Sequence, residues 1–229
     1  MPRQQQKIAD RVWLVGGEGL SAPGDCLCYA LDLGALVLVD CGVGPGWDRI
    51  CENLHDAGLD PNSLAHLVLT HCHIDHAGAA AAITADTGCE VIAHALDAEA
   101  IARGDRKRSA AAWYGTQLSP VAPTRIIRGS GEDLALPGGT LHLLHTPGHT
   151  PGSMAAWIDV EEPRGKTRLL FGQDVHGPLH RDFGSDHGDW QRSLRALVAL
   201  DADVLCEGHY GVIRGRDEVR RFIGEFLED

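Results

Sequence analysis

The feature that most constrains this chain is the run Thr70-His71-Cys72-His73-Ile74-Asp75-His76-Ala77-Gly78. Four side chains with metal-ligand chemistry fall within six residues, behind the apolar stretch Leu64–Leu69 and ahead of an alanine-rich segment. His71 and His73 are two apart, so an extended backbone points both the same way. Asp75 and His76 follow where the chain turns. One metal ion would take all four only with strain, whereas two adjacent ions divide them easily. The fold must therefore end a strand and begin a helix at this run, and must bring other ligands to it.

The sequence offers such ligands at three further strand ends. Thr146-Pro147-Gly148-His149-Thr150-Pro151-Gly152-Ser153 holds a histidine in a Pro/Gly loop after the strand Thr140–Leu144. Gly172-Gln173-Asp174 puts an acid directly after Leu169–Phe171, and Cys206-Glu207-Gly208-His209-Tyr210 follows the strand Val204–Cys206. The chain is acidic, with a formal net charge of −12, and carries 13 histidines against 4 Phe, 5 Trp and 3 Tyr. Such a charge argues against gripping nucleic acid, which relies on clustered Lys and Arg. The basic triplet Arg106-Lys107-Arg108 reads as a solvated face.

No apolar run approaches a membrane span, and Met1–Lys7 is not followed by a signal-peptide core. The seven cysteines read as reduced thiols, so a cytoplasmic setting is expected. Cys26-Leu27-Cys28 has no partner pair at zinc-site spacing and reads as small residues in a strand. No linker divides the chain, so a single domain over residues 1–229 is expected.

Strands are expected at Val12–Val15, Cys26–Leu31, Ala35–Val39, Leu64–Thr70, Glu90–Ala93, Thr140–Leu144, Ser153–Asp159, Arg168–Phe171 and Val204–Cys206. Helices are expected at Trp47–Ala57, Ala77–Ala85, Leu96–Arg103, Trp190–Leu200 and Glu218–Leu227. Strands followed by βα units in both halves suggest an α+β fold, with two stacked sheets covered outside by helices in a four-layer αββα sandwich.

These motifs together resemble the metallo-β-lactamase fold superfamily, over nearly the whole chain from about Val12. The H-x-H-x-D-H signature stands at His71, His73, Asp75 and His76. The later T-P-G-H-T-x-G-S motif runs from Thr146 to Ser153, and the early strand ending in acid and glycine is Leu38-Val39-Asp40-Cys41-Gly42. The resemblance implies two metal sites. His71, His73 and His149 hold the first, Asp75, His76 and His209 the second, and Asp174 bridges them. Two divalent ions are thus expected, zinc foremost, with iron or manganese compatible with the same donors. Two ions ~3.5–4 Å apart can share a hydroxide nucleophile, and Asp75 would orient it and pass a proton to the leaving group.

The expected activity is hydrolysis of a small ester, thioester or lactone. The alternatives are a mononuclear non-haem iron persulfide dioxygenase and a non-catalytic metal-binding module. A small-molecule substrate is expected as partner, without nucleic acid or membrane, and a homodimer is compatible with the sequence. Asp40 either orients a ligand histidine or closes a strand-end turn. Trp113 and Tyr114 either cap the substrate pocket or pack in the core. His176, His180 and His187 follow the bridging acid in a Gly-rich loop and are candidate pocket residues. His55, His66, His94, His142 and His145 read as surface or hydrogen-bonded structural residues. One departure stands out: the glycine usual before the bridging acid is Gln173, a long amide that either alters the pocket shape or donates a hydrogen bond to substrate.

Overall fold

A computed structural model describes residues 5–163 and 165–228. Strands β1 (Gln6–Ala9), β2 (Val12–Gly16), β3 (Cys28–Asp32), β4 (Leu36–Val39), β5 (Leu64–Val68), β6 (Glu90–His94) and β7 (Arg125–Ile127) form one sheet in that order. The second sheet runs β13 (Val212–Arg214), β12 (Val204–Cys206), β11 (Gly165–Phe171), β10 (Met154–Glu162), β9 (Gly139–His145) and β8 (Gly131–Leu136). The strands from β1 to β4 pair antiparallel, whereas those from β4 to β7 pair parallel. Parallel neighbours need a crossover. Helices α1 (Trp47–Asp56), α2 (Ile74–Ala77) with α3 (Ala80–Thr87), and α4 (Ala95–Arg103) supply them. In the second sheet, α5 (His187–Ala199) lies between the parallel pair β11 and β12, and α6 (Arg216–Gly224) closes the described chain.

The strand period of two sorts side chains into separate apolar layers. Val37 and Val39 face the second sheet and join Tyr29, Leu31, Phe171, Ile158 and Val204 in the central layer. Leu38, between them, faces outward with Leu67, Val91, Ile50, Leu54 and Ile83. In the same way Leu169 and Phe171 point inward, while Leu170 faces Leu194, Leu197 and Val219. Tyr29 meets Phe171 edge-on across the sheets, ring centroids 5.5 Å apart. The αββα sandwich expected from the sequence is the fold observed.

Several boundaries and elements differ from the sequence reading. β1, β7, β8 and β13 have no counterpart in it, and they are the edge strands of the two sheets. The expected helix Ala77–Ala85 is two pieces, α2 and α3. Gly78 separates them, and a Cβ there would stand 2.0 Å from the Val43 carbonyl oxygen, so the backbones meet where only glycine fits. α5 starts at His187, three residues before Trp190, because Asp186 caps it by accepting from the Asp189 N–H. α6 runs Arg216–Gly224 and not Glu218–Leu227. No helix among the described residues is long and apolar enough to cross a membrane.

Candidate metal centre

The parallel pairings set the ends of ligand-bearing strands side by side. β4 ends at Val39, directly before Asp40, beside the end of β5, which leads into His71–His76. β11 ends at Phe171, three residues before Asp174, beside the end of β12, which leads into His209. The Cys26 N–H donates to the Asp75 carbonyl and the Leu27 N–H to the Gly208 carbonyl, while the Met154 N–H donates to the Thr70 carbonyl. The last two of these bonds stitch the two sheets together at one end of the sandwich. Asp40 and Asp174 both sit in the left-handed region, at φ 57° and 51°. That conformation costs roughly 1 kcal/mol or more for a residue with a Cβ, and here both strand-end acids adopt it.

His71, His73, His149 and Asp174 each offer a donor atom within 4.8 Å of the others. Asp75, His76 and His209 form a second such group. Asp174 lies between them. Its Oδ2 is 3.1 Å from His149 Nε2 and 3.6 Å from His71 Nε2. Its Oδ1 is 3.3 Å from His76 Nε2 and 3.2 Å from His209 Nε2. Asp75 Oδ2 approaches His76 Nε2 at 3.5 Å and His209 Nε2 at 3.4 Å. The seven candidate ligands inferred from the sequence are therefore brought together, in the two sets expected.

The donor set fits divalent metal. The Nε2 atoms of His71 and His76 and the Oδ1 of Asp174 are buried with no hydrogen-bond partner, and His73 turns its Nδ1 toward the group, 3.0 Å from His149 Nε2. Each such atom costs about 1–3 kcal/mol if left unsatisfied. Imidazole nitrogen with carboxylate oxygen is a donor chemistry that zinc, iron and manganese accept. The electrostatics differ between the two groups: the imidazoles of His71 and His73 are held neutral, whereas burial is outweighed at His76 and His209, where nearby carboxylates favour the protonated rings, so an ion there must displace those protons. Burial, with the neighbouring imidazoles, holds His71 and His73 well below the ordinary histidine range, leaving their lone pairs free. Burial works against charge on His209, but its hydrogen bonds to Asp174 and Asp75 carry its pKa up to about 10. Burial also opposes charge on Asp174, yet His76, His149 and His209 hold it well below the carboxylate range.

A supporting shell fixes the ring orientations. His76 Nδ1 donates to Asp40 Oδ2 at 2.8 Å, and Asp40 also accepts from the Thr70 N–H and hydroxyl at 2.8 and 2.7 Å. Asp40 thus fixes the ring of a candidate ligand histidine, which is the geometry of the first of its two sequence readings. His149 Nδ1 donates to the Pro178 carbonyl at 2.9 Å. Three supporting residues escaped the sequence reading. Asp97, fully buried, accepts from the Cys72 N–H, the Thr150 hydroxyl and the Gly152 N–H, so one carboxylate ties the His71–His73 segment to the His149 loop. Glu207, also fully buried, accepts from His176 Nδ1 at 2.8 Å and from the N–H groups of His209 and Tyr210. Phe183 packs edge-on against His73 at 4.3 Å. Glu207 has a signal, an acid inside the His209 cluster. Asp97 and Phe183 have none.

A cavity of about 250 Å³ opens over the centre, lined by Asp75, His149, Asp174 and His209 with Trp113, Tyr114 and His176 among others. Trp113 is 56% exposed and stacks obliquely on Phe183, and Tyr114 is 44% exposed, so both rim the mouth and neither is core. Burial and the Asp75 carboxylate raise the Tyr114 phenol's pKa, so it stays a hydrogen-bond donor. His180 does not line the cavity. It supports the rim, with its ring 5.1 Å from Trp113 and its Nδ1 accepting from the Asp182 N–H. His187 is a correction: it starts α5, is exposed, and lies 3.2 Å from Glu228. Gln173 is another. Its amide donates to the Leu27 carbonyl at 3.3 Å, and its Oε1 is so close to Gly208 that a Cβ there would stand 2.3 Å away. That amide is committed to the backbone and does not line the cavity. Cys26 and Cys28 are free and buried, as read, although only Cys28 belongs to the strand.

Comparison with known proteins fits this geometry. The family model for the metallo-beta-lactamase superfamily matches residues 22–209. A probable metallo-hydrolase of Bacillus subtilis (strain 168) is 28% identical over 203 residues, covering 76% of this chain and 75% of that protein. A hydroxyacylglutathione hydrolase of Rhodospirillum rubrum is 31% identical over 62% of this chain and 46% of its own length. An N-acyl homoserine lactonase of Bacillus thuringiensis subsp. kurstaki is 30% identical over 50% of this chain and 41% of its own. The chain thus spans less than half of these last two relatives. A metallo-beta-lactamase of Cronobacter sakazakii superposes with a TM-score of 0.81 at 23% identity, covering 98% of this chain and 94% of that one. That likeness speaks to the fold. With the family model matched across both ligand groups, the chain belongs to the metallo-β-lactamase superfamily.

Proposed function

We propose that this chain, a metallo-hydrolase by its family, cleaves a small ester, thioester or lactone at a centre of two divalent metal ions. One observation carries the reading: two donor groups meet at Asp174, and the Nε2 atoms of His71 and His76 are buried there with no hydrogen-bond partner. His71, His73 and His149 would hold one ion and Asp75, His76 and His209 the other. Bound there, the ions would supply Lewis acidity and a water acidified toward a pKa of roughly 7.

The chain's own residues would do the rest. Asp75 faces both the donor atoms and the cavity, a position from which a carboxylate can take a proton and deliver it to a leaving group. Trp113 and Phe183 would exclude water from the reacting bond. Tyr114, as a phenol, would donate to a substrate oxygen. The relatives named as lactonase and acylglutathione hydrolase support acyl transfer to water as the reaction class. The mononuclear iron alternative draws on two histidines and the strand-end acid alone, and leaves Asp75, His76 and His209 without a task.

The test is hydrolysis of a panel of lactones and thioesters by the metal-loaded protein. Asp75→Asn should lower kcat by about 10²–10⁴ while the protein stays folded. Equal turnover by that variant would contradict the role given to Asp75, and oxygen consumption with a persulfide in place of hydrolysis would contradict the reaction.

A further inference from the structure

The cavity over the centre is one of two that meet at His209. The second, of about 500 Å³, is lined by Glu18, Asp25, Leu27 and Tyr210, with glycines between them. Neither cavity has a Lys or Arg among its described lining residues. The basic residues close to the lining in sequence are Arg106, Lys107, Arg108 and Arg181 for the first cavity and Arg214 for the second; Arg181 is exposed and reaches Asp182 at 3.7 Å, and Arg214 donates to the Ile8 carbonyl at 2.9 Å. Lys107 pairs with Asp182 at 3.0 Å, Arg108 with Asp97 at 3.1 Å, and Arg106 donates to the Thr116 carbonyl at 3.0 Å. The acids differ in kind. Asp25 is buried, its oxygens taken by Ser21, Ala22 and Val43. Glu18 is exposed and makes no ion pair or side-chain hydrogen bond among the described residues. Tyr210, 63% exposed, stands on the same wall.

A substrate reacting at the centre and longer than the first cavity has this second cavity beside it, across His209. Among the described residues that cavity offers a free carboxylate and an aromatic face, and no cation. We infer that the substrate is selected by charge: the portion lying across His209 is neutral or cationic, and substrates with an anionic group there, as in thioesters of carboxylate- or phosphate-bearing thiols, are rejected. The inference rests on the hydrolase reading above. Bound metal ions would add positive charge at the centre, but that charge acts on the reacting carbonyl, which every such substrate shares. A charged wall acts on the distal group, and a field of this kind changes encounter by roughly tenfold or more.

The test compares kcat/KM of the metal-loaded enzyme for three hexanoyl thioesters sharing one acyl group. The thiols are thiocholine, N-acetylcysteamine and 3-mercaptopropionate, respectively cationic, neutral and anionic. The anionic thioester should fall at least about tenfold below the neutral one. The gap should narrow at about 0.5 M salt, where screening is short-ranged, and in Glu18→Lys, a change at an exposed side chain. Equal or faster turnover of the anionic thioester overturns the inference. So does a gap that neither salt nor Glu18→Lys moves, which would make it one of shape. No turnover of the three, and of none of the lactones in the panel above, overturns the hydrolase reading itself. Lactone turnover without any of the three overturns the placement of a thiol portion across His209.

Discussion

Asp174 is the residue on which the centre turns, with one carboxylate oxygen toward each donor group. Around it, single side chains act through others. Asp40 touches no cavity, yet it fixes the His76 ring and is itself fixed by Thr70. Asp40→Ala should weaken binding of one of two metal ions by about 10–100-fold, read by competition with a chromogenic chelator. Unchanged affinity for both ions would remove Asp40 from the orienting role. The ligands were legible in the sequence because each is local: a strand end, a glycine and a donor side chain lie within a few residues. Asp97 was not, because its work joins Cys72 to Thr150 and Gly152, far apart in the chain. His187 failed for the opposite reason. It is near Asp174 in sequence, but Asp186 caps a helix there and turns the histidine out to Glu228.

At the scale of elements, the unread strands are instructive. β1, β7, β8 and β13 are all sheet edges and partly exposed, and β8 buries only Leu134 outright. An edge strand has less to bury, so it shows little of the alternation by which inner strands are read. The inner strands carry the stability. Phe171 ends β11, is fully buried against Tyr29, and lies three residues before Asp174. Phe171→Ala should cost about 3–5 kcal/mol, measured as a lowered urea midpoint, and a loss under about 1 kcal/mol would contradict its place in the central layer. A second device sits behind the His149 loop. His94 stacks on His145 at 3.7 Å, and His145 Nε2 donates to the Pro151 carbonyl. Burial and the neighbouring His145 depress the His94 pKa below its ordinary value. The unfolded chain therefore binds the proton more readily. The stabilisation is full above about pH 6.5 and is lost as pH falls through the folded-state value. Stability of the wild type should drop over that window, and His94→Gln should flatten the drop. An equal slope in both would contradict it.

As a whole molecule, the protein is two sheets whose aligned strand ends carry the chemistry, with helices holding the outer faces. The four-layer architecture was legible from alternating apolar runs, whereas the pairing of the two halves came only with the fold. That pairing is what places His149, Asp174 and His209 against the His71–His76 run. The histidine-rich composition then resolves into a donor set and its supports. His66 bonds to Glu90, and His142 bonds to Asp133 and stacks on Trp157. The measurement that bears most directly on this account is metal content. Protein stripped by chelator, reloaded with zinc and freed of excess should hold two ions per chain. Asp174→Ala should lose occupancy together with turnover. One ion per chain in the wild type, or two in Asp174→Ala, would contradict the shared centre.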